Sequence, residues 1–172
     1  MPFLFMHLIG AWILGKVCEF ASKKKINHYA WFLLLVGAII PDIDFLVDWT
    51  LGIHLHRTFT HSIFFALLSF AILYIIFWLF SDKKARTLAF AIGAGVMVHI
   101  FFDAFSAKGI PLLWPVVNYF SFFNGIQATS TIPAMFVASD QVLVGRLKFA
   151  LLDAATGVAW IFYLWLRKRI QF

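Results

Sequence analysis

The chain alternates between long apolar runs and short polar breaks. A bilayer core about 30 Å thick needs roughly 20 helical residues to cross it. Lipid offers the backbone no hydrogen-bond partner, so a spanning run must be helical. Five runs are long enough to predict such a helix: Phe3–Phe20, Tyr29–Trp49, His61–Phe80, Thr87–Ala107 and Phe149–Leu166. We therefore predict an all-α fold class, a polytopic membrane helical bundle of about five transmembrane helices.

Two parts of this pattern depart from a simple helix. Pro41 interrupts the second run, and because proline removes a backbone donor and clashes with the preceding turn, that helix is expected to kink or end there. Residues 108–148 mix apolar stretches with prolines and polar residues. We expect this segment to be interfacial or re-entrant and lid-like, with short helices, inside a single integral membrane domain covering residues 1–172.

Composition supports a membrane protein. Apolar residues make up 63% of the chain and charged residues 13%, against roughly 45–50% and about 25% in soluble domains. The net charge of +6 is better explained by membrane topology than by a nucleic-acid partner, and no nucleic acid is expected. One cysteine, Cys18, permits no intramolecular disulfide.

Basic residues orient the predicted helices. Nine of the 14 lie in three clusters, which are Lys23-Lys24-Lys25, Lys83-Lys84 with Arg86, and Arg167-Lys168-Arg169. Cytoplasmic loops carry the excess of Lys and Arg, and five spans place all three clusters on one side. The prediction is a multi-pass protein of the cell inner membrane, with its N-terminus outside and its C-terminus in the cytoplasm.

Under that topology, the residues able to bind a metal converge near the outer face. They are His7, Asp42, Asp44, His56, His61, His99 and Asp103. His99 and Asp103 are spaced i, i+4 and share a helix face; an intrahelical hydrogen bond is the alternative. Histidine and carboxylate are typical zinc ligands, and ionisable groups in a membrane usually mark a functional site. We predict one or two divalent ions of the zinc type.

Three residues are candidates for catalysis: Asp42, Arg57 and Thr60. Asp42, or Asp44 in its place, would act as a general base or bridge two ions. Arg57 would hold developing negative charge on a phosphate, unless it only meets lipid headgroups. Thr60 adds a hydroxyl next to His61. Asp153, in the fifth run, is expected either to be structural or to support the site.

These motifs resemble a known family. Pro41-Asp42-Ile43-Asp44, the run from His56 to Ser62 (HRTFTHS) and His99-Ile100-Phe101-Phe102-Asp103, preceded by an N-terminal His and followed by Leu112-Leu113-Trp114-Pro115, are similar to the YdjM-like inner-membrane metal-dependent hydrolases over roughly residues 1–155. That family is distantly similar to zinc-dependent phospholipase C and P1-type nucleases, all-helical enzymes that bind zinc through His and Asp. The resemblance implies ligands at His7, Asp42 or Asp44, His56 or His61, His99 and Asp103. Since no second HxxxE-type motif follows Asp103, one or two ions are expected.

The expected function is metal-dependent hydrolysis of a phosphoester, such as a phospholipid, at the extracytoplasmic membrane surface. Membrane lipid and a small phosphoester are the expected partners. A metal-ion transporter is one alternative, but it would need polar groups reaching the inner face, where Lys16 and Glu19 are the main ones. A non-catalytic membrane protein stabilised by a metal is the other.

Overall fold

The computed structural model describes residues 4–51, 57–80, 83–106, 109–116, 118–128 and 140–167. The fold is mostly helical, as predicted. Its helices are α1 (Leu4–Ser22), α2 (His28–Gly37), α3 (Asp44–Leu51), α4 (Ile63–Leu79), α5 (Ala85–Asp103) and α6 (Asp140–Leu166), and its strands are β1 (Asn118–Ser121) and β2 (Gly125–Ala128).

Helix α5 is the centre of the bundle. It packs between α2 and α4, while α1 contacts α5, α2 and α6. Helices α2 and α5 approach each other through glycine: a Cβ at Gly95 would overlap the carbonyl oxygen of Leu34, and one at Gly37 would overlap the carbonyl oxygen of Ile92. Because glycine allows helix backbones to touch, α2 lies directly against the half of α5 that leads to His99.

The break at Pro41 is confirmed. Helix α2 ends at Gly37, a 3₁₀ turn covers Ile40–Ile43 with proline near its start, and α3 begins at Asp44. Proline suits the first turn of a helical segment because the missing N–H would have no partner there. The predicted span Tyr29–Trp49 is therefore two short helices, and both aspartates lie at their junction.

A second 3₁₀ turn, Phe59–His61, precedes α4. Ser62 caps α4, since its hydroxyl accepts a hydrogen bond from the backbone N–H of Phe65 at 3.2 Å. The cap follows His61 directly, and the helix begins at Ile63, two residues after His61. His61 thus lies in the turn rather than inside the predicted helix His61–Phe80, and its side chain points into the bundle.

Within 108–148, where short helices were expected, the structure has two strands between Asn118 and Ala128, and α6 begins at Asp140. Strands β1 and β2 form an antiparallel hairpin in which Ser121 pairs with Gly125. The loop is 122–124, and Gly125, the first residue of β2, has a φ of 66°, a left-handed conformation that glycine adopts readily. The Asn124-Gly125 pair was the local signal for it. Residues 129–139 lie outside the described residues.

Helix α6 begins at Asp140, nine residues before the predicted start at Phe149. Hydropathy marks only the apolar part of a helix, here Leu147–Leu166, and the helix continues beyond it at the N-terminal end. This correction enlarges the helix at the expense of the predicted lid-like segment.

In the part of the chain that the structure describes, three helices are long and apolar enough to cross a membrane: Leu4–Ser22, Ala85–Asp103 and Leu147–Leu166. Helix α4 has 17 residues and α2 has 10. At 1.5 Å per residue, α2 covers only about half of a bilayer core. Three candidate spans are thus established, and the count of five stays a prediction.

The predicted orientation can be tested by thiol labelling in intact cells. In a Cys18→Ala background, Thr58→Cys is expected to react with an impermeant reagent added outside. Thr58 lies beside the turn that precedes α4, which the predicted topology puts on the outer side of the membrane. Lys24→Cys, in the basic turn after α1, is the matched control and should react only after permeabilisation. The opposite pattern would invert the topology.

Candidate metal centre

The structure gathers the described candidates into one buried cluster. Its members come from α1, the two 3₁₀ turns with the residues beside them, and α5: His7, Asp42, Asp44, Arg57, Thr60, His61, His99 and Asp103. His56 lies outside the described residues. The three described histidines of the cluster expose at most 1% of their surface, so their ring nitrogens are removed from water.

The protonation of His99 follows from its backbone contact. Its Nδ1 lies 2.8 Å from the carbonyl oxygen of Ala38. A carbonyl oxygen can only accept, so Nδ1 must carry the hydrogen and donate it. The Nε2 atom of His99 is therefore left with a free lone pair, which is the form that ligates metals.

The protonation of His61 follows in the same way. The hydroxyl of Thr60 donates a short hydrogen bond to Asp44, so its oxygen is left to accept from Nδ1 of His61, 2.9 Å away. In the neutral ring, that chain places the hydrogen of His61 on Nδ1 and a lone pair on Nε2. Asp44 thus lies on the Nδ1 side of the ring, where it orients the histidine.

The two Nε2 atoms face each other at 3.2 Å. When both rings are neutral, two lone pairs at this separation repel each other, and a metal ion bound to both nitrogens would relieve that repulsion. Two nitrogen ligands of one tetrahedral zinc ion are about 3.3 Å apart, given Zn–N distances of about 2.0–2.1 Å. The spacing of His61 and His99 therefore fits a shared divalent ion.

Two carboxylates complete the inner face of the cluster. Asp42 Oδ1 lies 3.6 Å from Nε2 of both His61 and His99. Asp103 Oδ2 lies 3.4 Å from Nε2 of His61, and its Oδ1 lies 3.6 Å from Nε2 of His7. These separations exceed good hydrogen-bond lengths but suit donors arranged around one ion.

His7 adds a further nitrogen donor. Its ring stacks on that of His99 with centroids 4.0 Å apart, and among the described residues neither of its nitrogens has a hydrogen-bond partner. Buried polar atoms rarely remain unpaired. The donor atoms form two triads, each within 4.8 Å: His7 with Asp42 and His99, and His61 with His99 and Asp103.

Arg57 is buried beside these donors. Its Nη2 lies 3.1 Å from Asp103 Oδ2, and its Nη1 donates to the hydroxyl of Ser106 at 2.9 Å. Its backbone has a φ of 63°, and its backbone N–H donates to Asp44 at 3.3 Å. Arg57 therefore connects Asp44 with Asp103 and Ser106 at the end of α5.

The hairpin fixes this arginine from the other side. The phenol of Tyr119 donates to the carbonyl oxygen of Arg57 at 3.2 Å, and burial raises the pKa of Tyr119, which keeps the donating proton in place. Ser121 donates to the carbonyl oxygen of Ser106 at 2.8 Å. The segment expected to be a lid thus supports the cluster, and sequence reasoning missed Ser106 and Tyr119.

Charge balance also favours a cation. With the histidines neutral, three carboxylates and one guanidinium leave two negative charges in the buried cluster. Unpaired buried charge is costly, and one divalent cation would cancel it. Asp42 is the more accessible carboxylate, with 21% of its side chain exposed against 5% for Asp103, so access to the donors runs past Asp42.

The sequence model of a family described as YdjM inner membrane protein matches residues 1–170. The match covers all the candidate residues, including His56. No curated protein and no solved structure matches the chain significantly.

Proposed function

The chain belongs to the YdjM inner membrane protein family, and on that premise we propose that it is a membrane-bound metal-dependent hydrolase. Its substrate is a phosphoester, with a phospholipid favoured, at the extracytoplasmic membrane surface. The observation that carries the metal centre is the approach of two Nε2 atoms, those of His61 and His99, to 3.2 Å in a buried site.

The proposed ligands are the three histidines His7, His61 and His99 with Asp42 and Asp103. Both donor triads require His99, and its Nδ1 is committed to Ala38. An imidazole nitrogen offers one lone pair, so the two triads describe a single centre. Nitrogen and carboxylate donors in such a set favour zinc among the common ions.

An ion held there would lower the pKa of a bound water to about 7 and would polarise a phosphoryl oxygen. The remaining chemistry falls to the side chains. Asp42, whose side chain is more accessible than that of Asp103, would accept a proton from the attacking water. The guanidinium of Arg57 donates one hydrogen bond, to Ser106, and pairs with the charge of Asp103, so others of its five N–H donors remain for a phosphoryl oxygen.

A transport pathway has less support. Below the cluster, the buried residues of α1 and α5 are apolar or glycine, among them Gly10, Ala11, Gly15, Ile92, Gly95 and Val96. At the inner end, Glu19 is occupied by Lys16 at 2.8 Å, the indole N–H of Trp31 and the backbone N–H of Ile26. Among the described residues, no polar path joins the cluster to this end.

The test combines metal analysis with turnover. Protein purified without chelator should contain one divalent ion per chain and should hydrolyse a phosphodiester or phospholipid in detergent. Arg57→Lys should keep the metal, because arginine is not a ligand, but lose turnover by at least tenfold, about 1.4 kcal/mol of barrier. Lysine is a point charge and cannot reproduce the planar, two-pronged contact.

Each result decides something different. A protein without metal would refute the centre. Metal without turnover on any phosphoester would favour the non-catalytic, metal-stabilised alternative. Full turnover in the lysine variant would remove Arg57 from the mechanism.

A further inference from the structure

The carboxylate of Asp153, in α6, accepts hydrogen bonds from the first turn of α1. Asp153 lies in α6 and is 7% exposed. Its Oδ2 accepts the backbone N–H of Phe5 and its Oδ1 that of Met6, both at 3.1 Å. The first four N–H groups of a helix have no partner within the helix, so Asp153 caps α1 from a helix nearly 150 positions away in sequence.

The rest of the contact between these helices is close and apolar. A Cβ at Gly157, one turn after Asp153, would overlap the ring of Phe5, and Trp12 meets Trp160 edge to face with centroids 6.0 Å apart. These contacts bring the helices together, while the two hydrogen bonds fix the position of α1 along α6. An acidic group at a helix N-terminus is also favoured by the helix dipole.

The turn of α1 that Asp153 caps is followed directly by a residue of the cluster, His7. His7 follows Met6, is 1% exposed, and has no hydrogen-bond partner of its own among the described residues. Its stacking on His99 fixes the plane of the His7 ring, but it does not fix the position of that ring along the axis of α5. The backbone of α1 must therefore supply the missing restraint.

We propose that Asp153 is a positioning residue of the metal centre, which holds the first turn of α1 so that His7 reaches the ion. This inference rests on the proposed metal centre. It makes α6, which contributes no donor, a determinant of metal affinity.

The experiment is a double-mutant cycle on zinc affinity, measured by chelator competition in detergent for the full chain. Asp153→Ala is expected to weaken binding by about 10–100-fold, the usual effect of losing a group that orients a ligand. If Asp153 acts through His7, the variant Asp153→Ala/His7→Ala should bind no more weakly than His7→Ala alone. The cobalt absorption spectrum of Asp153→Ala should move towards that of His7→Ala.

Two further variants keep the test sharp. Asp153→Asn retains one acceptor oxygen and should restore part of the affinity; it also carries the cycle if the alanine variant does not fold. Thr156→Ala, which removes an exposed hydroxyl bonded to Leu152 within α6, should bind zinc like the wild type.

Losses that multiply in the double variant would overturn the positioning role, and so would wild-type affinity in Asp153→Ala. Absence of zinc binding in the wild type would instead overturn the proposed metal centre itself.

Discussion

Replacement of His99 by alanine is expected to strip the metal from the purified protein. His99 is common to both donor triads and is fixed by its hydrogen bond to Ala38. Loss of groups that merely orient ligands typically lowers metal affinity by 10–100-fold, so loss of a shared ligand should exceed about 100-fold. The measurement is metal content after purification without chelator, together with chelator-competition affinity.

The matched control is His28→Ala. His28 begins α2 at the end remote from the junction with Asp42, and its loss should leave the metal content unchanged. Equal metal in the wild type and the His99 variant would remove this cluster from consideration as the binding site.

Gly95→Ala is expected to destabilise the bundle strongly, while Gly93→Ala is tolerated. A methyl group at Gly95 would overlap the carbonyl oxygen of Leu34 and lie 2.9 Å from the backbone nitrogen of Ala38. Overpacking typically costs about 1–3 kcal/mol, and a backbone obstacle on the neighbouring helix puts this case at about 3 kcal/mol. At Gly93 the nearest atoms are Phe70 Cβ at 3.3 Å and the carbonyl oxygen of Ala66 at 3.5 Å.

The two alanine variants share a helix and a substitution, so the comparison isolates the close approach. Thermal unfolding in detergent should show a clearly lower midpoint for Gly95→Ala than for Gly93→Ala. Metal affinity should fall with it, because the displaced α2 would carry the Ala38 acceptor away from His99. Identical midpoints would mean that α2 and α5 are less tightly apposed than the structure indicates.

Much of the fold was predictable because its signals are local. Proline at 41 must interrupt a helix, serine at 62 is a strong cap, and a spacing of four puts His99 and Asp103 on one face. The convergence of the donors followed from placing each helix end relative to one membrane. The hairpin was missed because its single turn signal, Asn124-Gly125, lies in a segment rich in apolar residues and prolines.

The division of labour between Asp42 and Asp44 could not be predicted from sequence. The two residues are separated by a single position, and only the geometry of the 3₁₀ turn directs Asp42 to the Nε2 atoms and Asp44 to the Nδ1 side of His61. The acceptor for His99 is a backbone carbonyl, which every residue possesses, so nothing in the sequence marks Ala38. The support from Ser106 and Tyr119 depends on the hairpin and was hidden with it.

The proposed donors are widely spaced along the chain, from His7 in α1 to Asp103 at the end of α5. The proposed ion would therefore cross-link two parts of the chain that are almost a hundred residues apart. Closing so long a loop has a large entropic cost in the absence of metal. During biosynthesis the ion cannot bind all its ligands until α5 has been synthesised and has packed against α2. Metal binding would then occur only after these helices have assembled in the membrane. Chains truncated before His99 would bind no ion and would lack the stabilisation that it gives against proteolysis.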